Sequence, residues 1–297
     1  MLSGIRIDVM PAQIVTRPQR PRAAEVHEPP IIVDRDGIVA DLMKIPLTAA
    51  RLGAKLLQGL VISQTTYRRA QPEGRREINR RWSRELLRIA GISVRTIGFP
   101  DTAERPVTLV ANHISWADIF ALNSQRACHF IAKRELRQWP VAGRLLENVG
   151  TVFIDRSNRR ETHRLASVIH GLMEAGETVA VFPEGTTSRG SDVLKFHASL
   201  LEPVVAAGGE VWVVAIRYVG AGGRWTDAAA YVDDMTLIDS LRALARAGPV
   251  TAEVRFLEAI ACRGLHRRAV AERAETLIRA AVRGSAPGTA QPPVRTS

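Results

Sequence analysis

Cysteine, lysine and long apolar runs are scarce in this 297-residue sequence. The two cysteines, Cys128 and Cys262, lie too far apart for a metal motif or a disulfide framework, and both are expected to be small buried hydrophobic residues. No uncharged apolar stretch reaches the roughly 18 residues that a membrane-spanning helix requires. The first residues, MLSGIRIDVMPAQIV, lack the apolar core of a signal peptide. These absences predict a protein that is cytosolic or bound to a membrane surface.

Arginine, by contrast, is abundant. Only four of the 41 basic residues are lysines, which leaves 37 arginines, and the formal net charge is +11. Arginine forms planar, forked contacts with phosphate, so nucleic acid, anionic lipid and a phosphorylated carrier are all candidate partners. A genome that favours arginine codons would explain the same excess equally well. The apolar fraction of 46% and the charged fraction of 24% are typical of a folded globular protein.

Both ends of the sequence are rich in residues that disfavour regular structure. Residues 1–36 contain five prolines among scattered charges, and residues 284–297 read GSAPGTAQPPVRTS. We therefore expect a flexible arm at residues 1–36 and a disordered tail at residues 284–297.

Residues 37–92 have the periodicity of a helical hairpin. Between Ile38 and Ile62, polar residues recur at spacings of three and four, and apolar residues occupy most other positions. The polar stripe consists of Asp41, Lys44, Thr48, Arg51, Lys55 and Gln58. A second helix is predicted from about Glu73 to Ile89.

Two interpretations of this amphipathic hairpin remain open. It could simply pack on the rest of the protein, or it could be membrane-facing and present a basic surface that lies in a lipid interface. Residues 1–100 carry 15 Arg and 2 Lys against 4 Asp and 5 Glu, so a net charge of +8 out of the total of +11 lies here. This uneven charge favours the membrane interpretation, in which Lys44, Arg51 and Lys55 would face anionic lipid.

After residue 93, short β-rich runs alternate with helical segments. The predicted strands are ISVRTIG, VTLVA, CHFIA, TVFID, TVAVF, VWVVAIRY and AEVRFL. The segment THRLASVIHGLMEAG has the apolar spacing of a helix that Gly176 ends. Strands that alternate with helices predict an α/β domain over residues 93–283, with a mostly parallel central sheet flanked by helices and preceded by the helical hairpin.

Three of these predicted strands are followed directly by polar or conformationally special residues. His113 follows VTLVA, Arg156 follows TVFI, and Pro183–Gly185 follows TVAVF. In parallel sheets, ligands bind at the carboxyl ends of the strands. We therefore expect these residues to converge on one crevice.

His113 and Asp118, in the stretch NHISWADIF, have the spacing of a catalytic pair. An Asp one helical turn beyond the His can accept a hydrogen bond from Nδ1, which fixes the tautomer and leaves Nε2 as a general base. The alternative is a plain helix start, with Ser115 as N-cap and Asp118 in the first turn, where an acid suits the helix dipole. No G-x-S-x-G nucleophile motif is present. The simplest scheme therefore has His113 deprotonating a substrate hydroxyl directly.

The stretch NHISWAD resembles the N-H-x-x-x-x-D motif of the glycerolipid acyltransferases, the family of the lysophosphatidic acid acyltransferases. The resemblance continues in the same order through four later stretches and covers about residues 80–220, and the hairpin before it is similar to that family's N-terminal two-helix unit. The four stretches are AKRELRQWPVAG (132–143), GTVFIDR (150–156), FPEGTTSRG (182–190) and VVAIRY (213–218).

The resemblance implies an acyltransferase that moves a fatty acyl chain from acyl-CoA or acyl carrier protein to the hydroxyl of a lysophospholipid in phospholipid biosynthesis. His113 would be the base and Asp118 the residue that orients it. Arg156 would bind the phosphate or other head group of the acceptor, because a guanidinium fork suits such a group. The other substrate-binding residues would be Glu184, Gly185, Thr186 and Lys133, although Lys133 could as well form a surface pair with Glu135. No metal and no cofactor is implied, since the acyl donor is itself a substrate.

Two positions depart from the family pattern. Thr187 stands where the block E-G-T-R-S has an Arg, and Val213 stands where a Pro usually precedes V-A-I. Lysophosphatidic acid, which would give phosphatidic acid, is the favoured acceptor. The loss of the Arg makes a lyso-ornithine lipid or another lysolipid a credible alternative.

Two rival functions are consistent with parts of the sequence. A hydrolase could apply the same His–Asp chemistry to water, and a non-enzymatic basic module could bind a membrane or nucleic acid. The module would explain the arginine content but not the residues at the strand ends, and no recognised nucleic-acid motif is present. We therefore expect an enzyme that is peripheral on the cytoplasmic face of the membrane and has no nucleic-acid partner.

Overall fold

Eight strands form one sheet in the computed structural model, which describes residues 35–99, 106–139, 142–154, 159–284 and 295–296. The strands are β1 (Ile92–Ile97), β2 (Thr108–Ala111), β3 (His129–Lys133), β4 (Val152–Ile154), β5 (Val179–Val181), β6 (Glu210–Val219), β7 (Val250–Ala261) and β8 (Arg295–Thr296). The first seven lie where the β-rich runs predict them. Residues 1–34 of the predicted arm lie outside the described residues, and its last two residues begin α1. Of the predicted tail, only Gly284 and β8 are described.

Helices connect and cover these strands. They are α1 (Arg35–Gln64), α2 (Thr66–Arg69), α3 (Pro72–Ile89), α4 (Ala117–Gln125), α5 (Ala142–Asn148), α6 (Arg159–Glu174), α7 (Ala198–Ala207), α8 (Leu237–Ala247) and α9 (Arg267–Val282). Short 3₁₀ turns occupy Arg134–Gln138 and Ala221–Gly223.

The strand order across the sheet is β4-β3-β5-β2-β6-β7-β1-β8. Strands β2 to β6 run parallel to one another, whereas β7 is antiparallel to β6 and parallel to β1. The carboxyl ends of β2, β4 and β5 therefore lie on the same side of the sheet, at one end of its strands. The prediction of a mostly parallel sheet flanked by helices is confirmed. The antiparallel pairing of β6 with β7 goes beyond the prediction, because alternation along a sequence identifies a strand but not its direction.

Apolar residues are buried on both faces of the sheet. One core lies against α3, α4 and α8 and contains Leu87, Leu122 and Ile216, while the other lies against α6, α7 and α9 and contains Ile169 and Leu201. All four residues of β2 are buried, as is typical of a parallel strand with helices on both sides. This double covering fixes the end of β2, from which the NHISWAD loop begins.

The predicted helical hairpin is present and its two long helices pack against each other. Trp82 of α3 donates its indole Nε1–H to the Lys55 carbonyl of α1 over 3.3 Å, and Asn79 of α3 lies 3.5 Å from the Tyr67 hydroxyl of α2. Gly59 makes this approach possible, because a Cβ there would lie 2.8 Å from the Trp82 ring. The packed contacts therefore run along the second half of α1.

The exposed face of α1 is mixed, which corrects the predicted polar stripe in part: Arg51 and Gln58 are exposed as predicted, but large apolar side chains are exposed with them. Leu47, Leu57 and Val61 are each more than half exposed, whereas Lys55 is only 7% exposed. The Lys44 side chain lies outside the described part of the chain. Within that part, Ile45–Arg69 is the one segment long and apolar enough to cross a membrane by length and composition, and 17% of its apolar window is buried. The requirement for an uncharged run did not select this segment, because Arg51 and Lys55 lie within it.

Candidate active site

The NHISWAD loop is attached to the sheet by its first residue. Asn112, fully buried after β2, donates its amide to the Ile216 carbonyl over 2.9 Å and accepts the Ile216 N–H over 2.7 Å. This side-chain bridge imitates a strand pairing and prolongs the β2–β6 contact by one residue. No role for Asn112 was predicted from the sequence, although the residue is part of the motif.

His113 and Asp118 meet as predicted. Nδ1 of His113 lies 2.8 Å from Oδ2 of Asp118, which is fully buried in the first turn of α4. The same oxygen accepts the main-chain N–H groups of Ile114 and Ser115 over 2.6 and 2.9 Å. The helix-start interpretation is correct for Asp118, which lies in the first turn, but the N-cap of α4 is Trp116 and not Ser115. The Asp118 carboxylate also holds the imidazole and the loop between them.

Tyr218 completes the surroundings of Asp118, a contact that was not predicted from the sequence. The Tyr218 hydroxyl, on the buried side of β6, donates to Oδ1 of Asp118 over 2.7 Å. Burial raises the pKa of Tyr218 well above its usual value, and the adjacent Asp118 charge acts in the same direction. The stretch VVAIRY pointed to this strand, but nothing in the sequence pairs two residues that lie 100 positions apart.

The imidazole of His113 is held on its face by an aromatic ring. The ring of Phe182 stacks on His113 with centroids 4.1 Å apart and an interplanar angle of 10°, and Phe130 stacks behind Phe182 at 5.9 Å. Phe182 ends the β5 region and directly precedes Pro183. The predicted convergence of β2 and β5 thus places the two rings together and restricts rotation of the imidazole.

Glu184 contacts the main chain of the catalytic loop. Its carboxylate is 2% exposed, and it accepts the N–H of His113 over 2.6 Å and the N–H of Leu194 over 2.8 Å. Burial raises the pKa of Glu184 to about 7, although these two N–H groups lower it. Because both oxygens are engaged by main-chain groups, the geometry favours a role in positioning His113 over the predicted contact with the acceptor.

The other residues of the FPEGTTSRG stretch form a turn beside His113. Gly185 has a left-handed φ of 73° and donates its N–H to the Phe182 carbonyl over 3.1 Å, so only glycine suits this position. Thr186 is exposed. Ser188 donates its N–H to the His113 carbonyl over 2.8 Å, so both main-chain polar groups of His113 are held.

The structure does not describe the side chains of two predicted substrate-binding residues, Arg156 and Lys133. Arg156 lies outside the described residues. Strand β4, which precedes it, ends at Ile154, and its carboxyl end lies on the same side of the sheet as those of β2 and β5. Lys133 is the last residue of β3, and its side chain lies outside the described part of the chain. The roles of Arg156 and Lys133 therefore stay predictions.

Thr187 and Val213, the two positions that depart from the family pattern, are both held by contacts within the protein. Thr187 directs its hydroxyl to the Tyr231 carbonyl, and Val213 is fully buried within β6. Two residues after Thr187, the exposed Arg189 lies 3.7 Å from the Asp227 carboxylate. A pair of opposite charges therefore borders the turn that contacts His113.

A cleft of about 410 Å³ opens between α1, α3 and α8. Its lining is mostly apolar and consists of Ile45, Thr48, Ile89, Ala90, Gly91, Leu241, Leu244, Ala245, Gly248 and Pro249. None of the predicted site residues lines it. The candidate active site is therefore defined by the contacts of His113 and not by this cleft.

Comparison with known proteins identifies the family. A family model described as Acyltransferase matches residues 92–219, which include His113, Asp118, Glu184 and Tyr218. The lyso-ornithine lipid O-acyltransferase of Pseudomonas aeruginosa is 33% identical over 257 residues, which cover 83% of this chain and 96% of that protein. This chain belongs to the glycerolipid acyltransferase family. The resemblance inferred from NHISWAD is confirmed.

Other family members match over shorter or more divergent stretches. The 1-acyl-sn-glycerol-3-phosphate acyltransferase of Neisseria gonorrhoeae is 40% identical over 127 residues, 43% of this chain, and this chain spans about half (50%) of its length. The crystal structure of the 1-acyl-sn-glycerophosphate acyltransferase PlsC from Thermotoga maritima has a TM-score of 0.62 at 22% identity. The structural match covers 84% of this chain and 97% of the Thermotoga maritima chain, which shows that the two proteins share a fold.

Proposed function

We propose that this protein transfers a fatty acyl chain from an acyl thioester to the hydroxyl group of a lysolipid. The observation that carries the proposal is the 2.8 Å contact between Nδ1 of His113 and Oδ2 of the buried Asp118. With Nδ1 held by a carboxylate, a neutral imidazole presents Nε2 as the proton acceptor. Membership of an acyltransferase family supports an acyl group as the group transferred.

The proposed reaction needs no covalent enzyme intermediate. Nε2 of His113 removes the proton of the acceptor hydroxyl while the oxygen attacks the thioester carbonyl carbon. The tetrahedral intermediate then collapses, the carbon–sulfur bond breaks, and the thiolate leaves with the proton that His113 carried. The Asp118 carboxylate stabilises the imidazolium between the two proton transfers. Acyl-CoA or acyl carrier protein would supply the thioester, so the acyl donor is a substrate and no cofactor is required.

The acceptor is proposed to be lysophosphatidic acid or lyso-ornithine lipid, and Thr187 favours the second. A hydroxyl bonded to the Tyr231 carbonyl cannot replace the forked phosphate contact of an Arg at this position. Arg189 and Asp227 offer a cation and an anion beside the same turn. An ornithine head group carries a carboxylate and an ammonium, which would match this pair, whereas a phosphate monoester would be repelled by Asp227.

The two acceptors can be distinguished through Asp227. We expect Asp227→Asn to raise the KM for lyso-ornithine lipid by roughly 1.5- to fivefold, the range for an exposed ion pair, and to leave or lower the KM for lysophosphatidic acid. Asp234→Asn, a nearby exposed acid, serves as the matched control. Equal effects on both acceptors would exclude Asp227 from head-group selection.

Arg156 is proposed to bind the acceptor's anionic group. Arg156→Ala should raise the acceptor KM, and Arg156→Lys should recover only part of the loss, because an ammonium cannot reproduce the guanidinium fork. An unchanged acceptor KM in Arg156→Ala would remove this residue from the site.

The protein is proposed to lie on the cytoplasmic face of the membrane, with the exposed face of α1 in the lipid interface. Leu57 and Val61 support contact with lipid, because large apolar side chains are seldom left in water side by side. Helix α3 is tied to the α/β domain by Arg76, which lies 3.2 Å from Glu177, and by Arg84, which donates to the Ser124 carbonyl. Because α1 packs on α3, a position along the surface is favoured over a crossing.

The direct test of the proposed function is a radiolabelled acyl-thioester assay with purified protein and a panel of lysolipids. Transfer to a lysolipid that His113→Ala abolishes is the expected result. Release of free fatty acid without transfer would identify a hydrolase, and no turnover of any thioester would leave only a binding function.

A further inference from the structure

We infer that Tyr218 is a positioning residue for the catalytic pair: it fixes the Asp118 carboxylate from the side opposite His113 and thereby sets the direction of the imidazole. The inference rests on the proposed function, because it assigns Tyr218 a part in the same acyl transfer. Tyr218 does not touch the reacting atoms, so its effect passes entirely through Asp118.

The two oxygens of Asp118 have different surroundings. Oδ2 accepts Nδ1 of His113 and the N–H groups of Ile114 and Ser115, all on the local loop. Oδ1 accepts the Tyr218 hydroxyl, which is its one donor within the part of the chain that the structure describes. Without that donor, the carboxylate would be held from one side only and could rotate about its Cβ–Cγ bond.

Strand β6 contacts the catalytic loop at two points. Ile216 is bonded to Asn112 at the start of the loop, and Tyr218 is bonded to Asp118 at its end. Ile216 uses its main-chain N–H and carbonyl, and Tyr218, two residues further on, uses its side-chain hydroxyl, so one strand sets both contacts. Ile216 and Tyr218 pair in register with Val254 and Ala252 of β7, which holds β6 in place.

The Tyr218 hydroxyl is a permanent donor. Tyr218 is 1% exposed, and its pKa is raised well above the usual value, chiefly by burial and further by the Asp118 charge. The phenol therefore keeps its proton throughout the neutral range. The Ser115 side chain acts on the Tyr218 hydroxyl in the opposite direction and lowers this pKa, but burial outweighs it.

The test is a comparison of Tyr218→Phe with Tyr67→Phe in the acyl-transfer assay. Both changes remove one hydroxyl from a buried tyrosine, but Tyr67 lies on α2 of the hairpin, away from the catalytic loop. We expect Tyr218→Phe to lower kcat roughly 10- to 100-fold, the worth of a hydrogen bond to a charged group, with acceptor KM changed less than about twofold. Tyr67→Phe should leave kcat within about twofold of wild type.

A double-mutant cycle separates positioning from a general loss of structure. In an Asp118→Asn background, Tyr218→Phe should lower kcat by less than about twofold, because the carboxylate on which it acts is gone. If Tyr218→Phe is too unstable to assay, Ser115→Ala tests the same chain of contacts. It removes the neighbouring hydroxyl that acts on the Tyr218 side chain and should lower kcat roughly two- to fivefold, again without a change in KM.

Two results would overturn the inference: a kcat for Tyr218→Phe equal to that of Tyr67→Phe, or an undiminished loss in the Asp118→Asn background. For Ser115→Ala, the overturning result is an unchanged kcat. Failure of the proposed function has a different signature, since wild-type protein would then transfer no acyl chain to any lysolipid. Failure of the inference about Tyr218 and failure of the proposed function are therefore distinguished within one assay.

Discussion

The ammonium group of Lys55 on α1 lies against the Glu85 carboxylate of α3, inside the helical hairpin. The same ammonium donates to Gln58 over 2.6 Å, and the Lys55 side chain is almost fully buried. A buried charge requires a partner, and Glu85 provides it. The consequence is that α1 turns a charge inward and apolar side chains outward, so the membrane contact of the hairpin is expected to depend on apolar area.

Vesicle binding should therefore respond to Val61. We expect Val61→Glu to weaken binding to vesicles of anionic and zwitterionic lipid by roughly tenfold or more, because it places a charge in the apolar face that would enter the lipid. Val168→Glu introduces the same change on α6, at another exposed valine, and is the matched control. Sedimentation with vesicles measures both. Equal binding of the two variants would show that α1 does not enter lipid.

Packing of α1 on α3 should be sensitive to one glycine and not to another. Gly59→Ala would bring a Cβ within 2.8 Å of the Trp82 ring and should destabilise the protein by about 1–3 kcal/mol. A Cβ at Gly53 on the same helix meets nothing within 4 Å. Gly53→Ala should therefore stabilise by about 0.5–1 kcal/mol, since alanine favours the helix. Thermal unfolding of the two variants measures the difference, and equal shifts would contradict the observed packing.

Catalysis should depend on both members of the His–Asp pair. His113→Ala should lower kcat by roughly 10²–10⁴-fold, the usual contribution of a positioned general base. Asp118→Asn should be comparably severe, because an amide can hold the wrong tautomer of the imidazole. Thermal melts should show both variants folded. Near-normal turnover in a folded Asp118→Asn variant would reduce Asp118 to a helix-start residue.

Glu184 should make the stability of the protein depend on pH. Because the pKa of Glu184 is raised to about 7 from 4.5, the folded protein keeps this proton at pH values where the unfolded chain has lost it. The raised pKa therefore contributes its full stabilisation of the folded state below about pH 4.5. This stabilisation is lost as the pH rises from about 4.5 to about 7. Glu184→Gln cannot ionise. Relative to this variant, the free energy of unfolding of wild type should fall by on the order of 3 kcal/mol between about pH 4.5 and about pH 7.

Chemical denaturation of wild type and Glu184→Gln at several pH values measures this difference. Taking the difference cancels the titration of the other groups, which are common to both proteins. A stability difference that stays constant from pH 4.5 to pH 7 would show that the pKa of Glu184 is the same in the folded and unfolded states.

The sequence alone determined the features that arise from local spacing. Alternating apolar runs placed seven strands, and the five-residue separation of His113 and Asp118 predicted their contact, because both lie on one loop and the first turn of one helix. The order of motifs also predicted the family. Each of these inferences depends on residues that are close in sequence, where chain geometry leaves few alternatives.

Only the tertiary structure decided which distant groups complete the site and which face of the hairpin is exposed. Tyr218 reaches Asp118 across 100 residues, and Glu184 reaches the His113 N–H across 71. Lys55 turns inward because α3 brings Glu85 to it across 30 residues. A sequence specifies that a buried carboxylate or ammonium must find a partner, but the partner depends on which strands and helices become neighbours, and that is set by the packing of the whole chain.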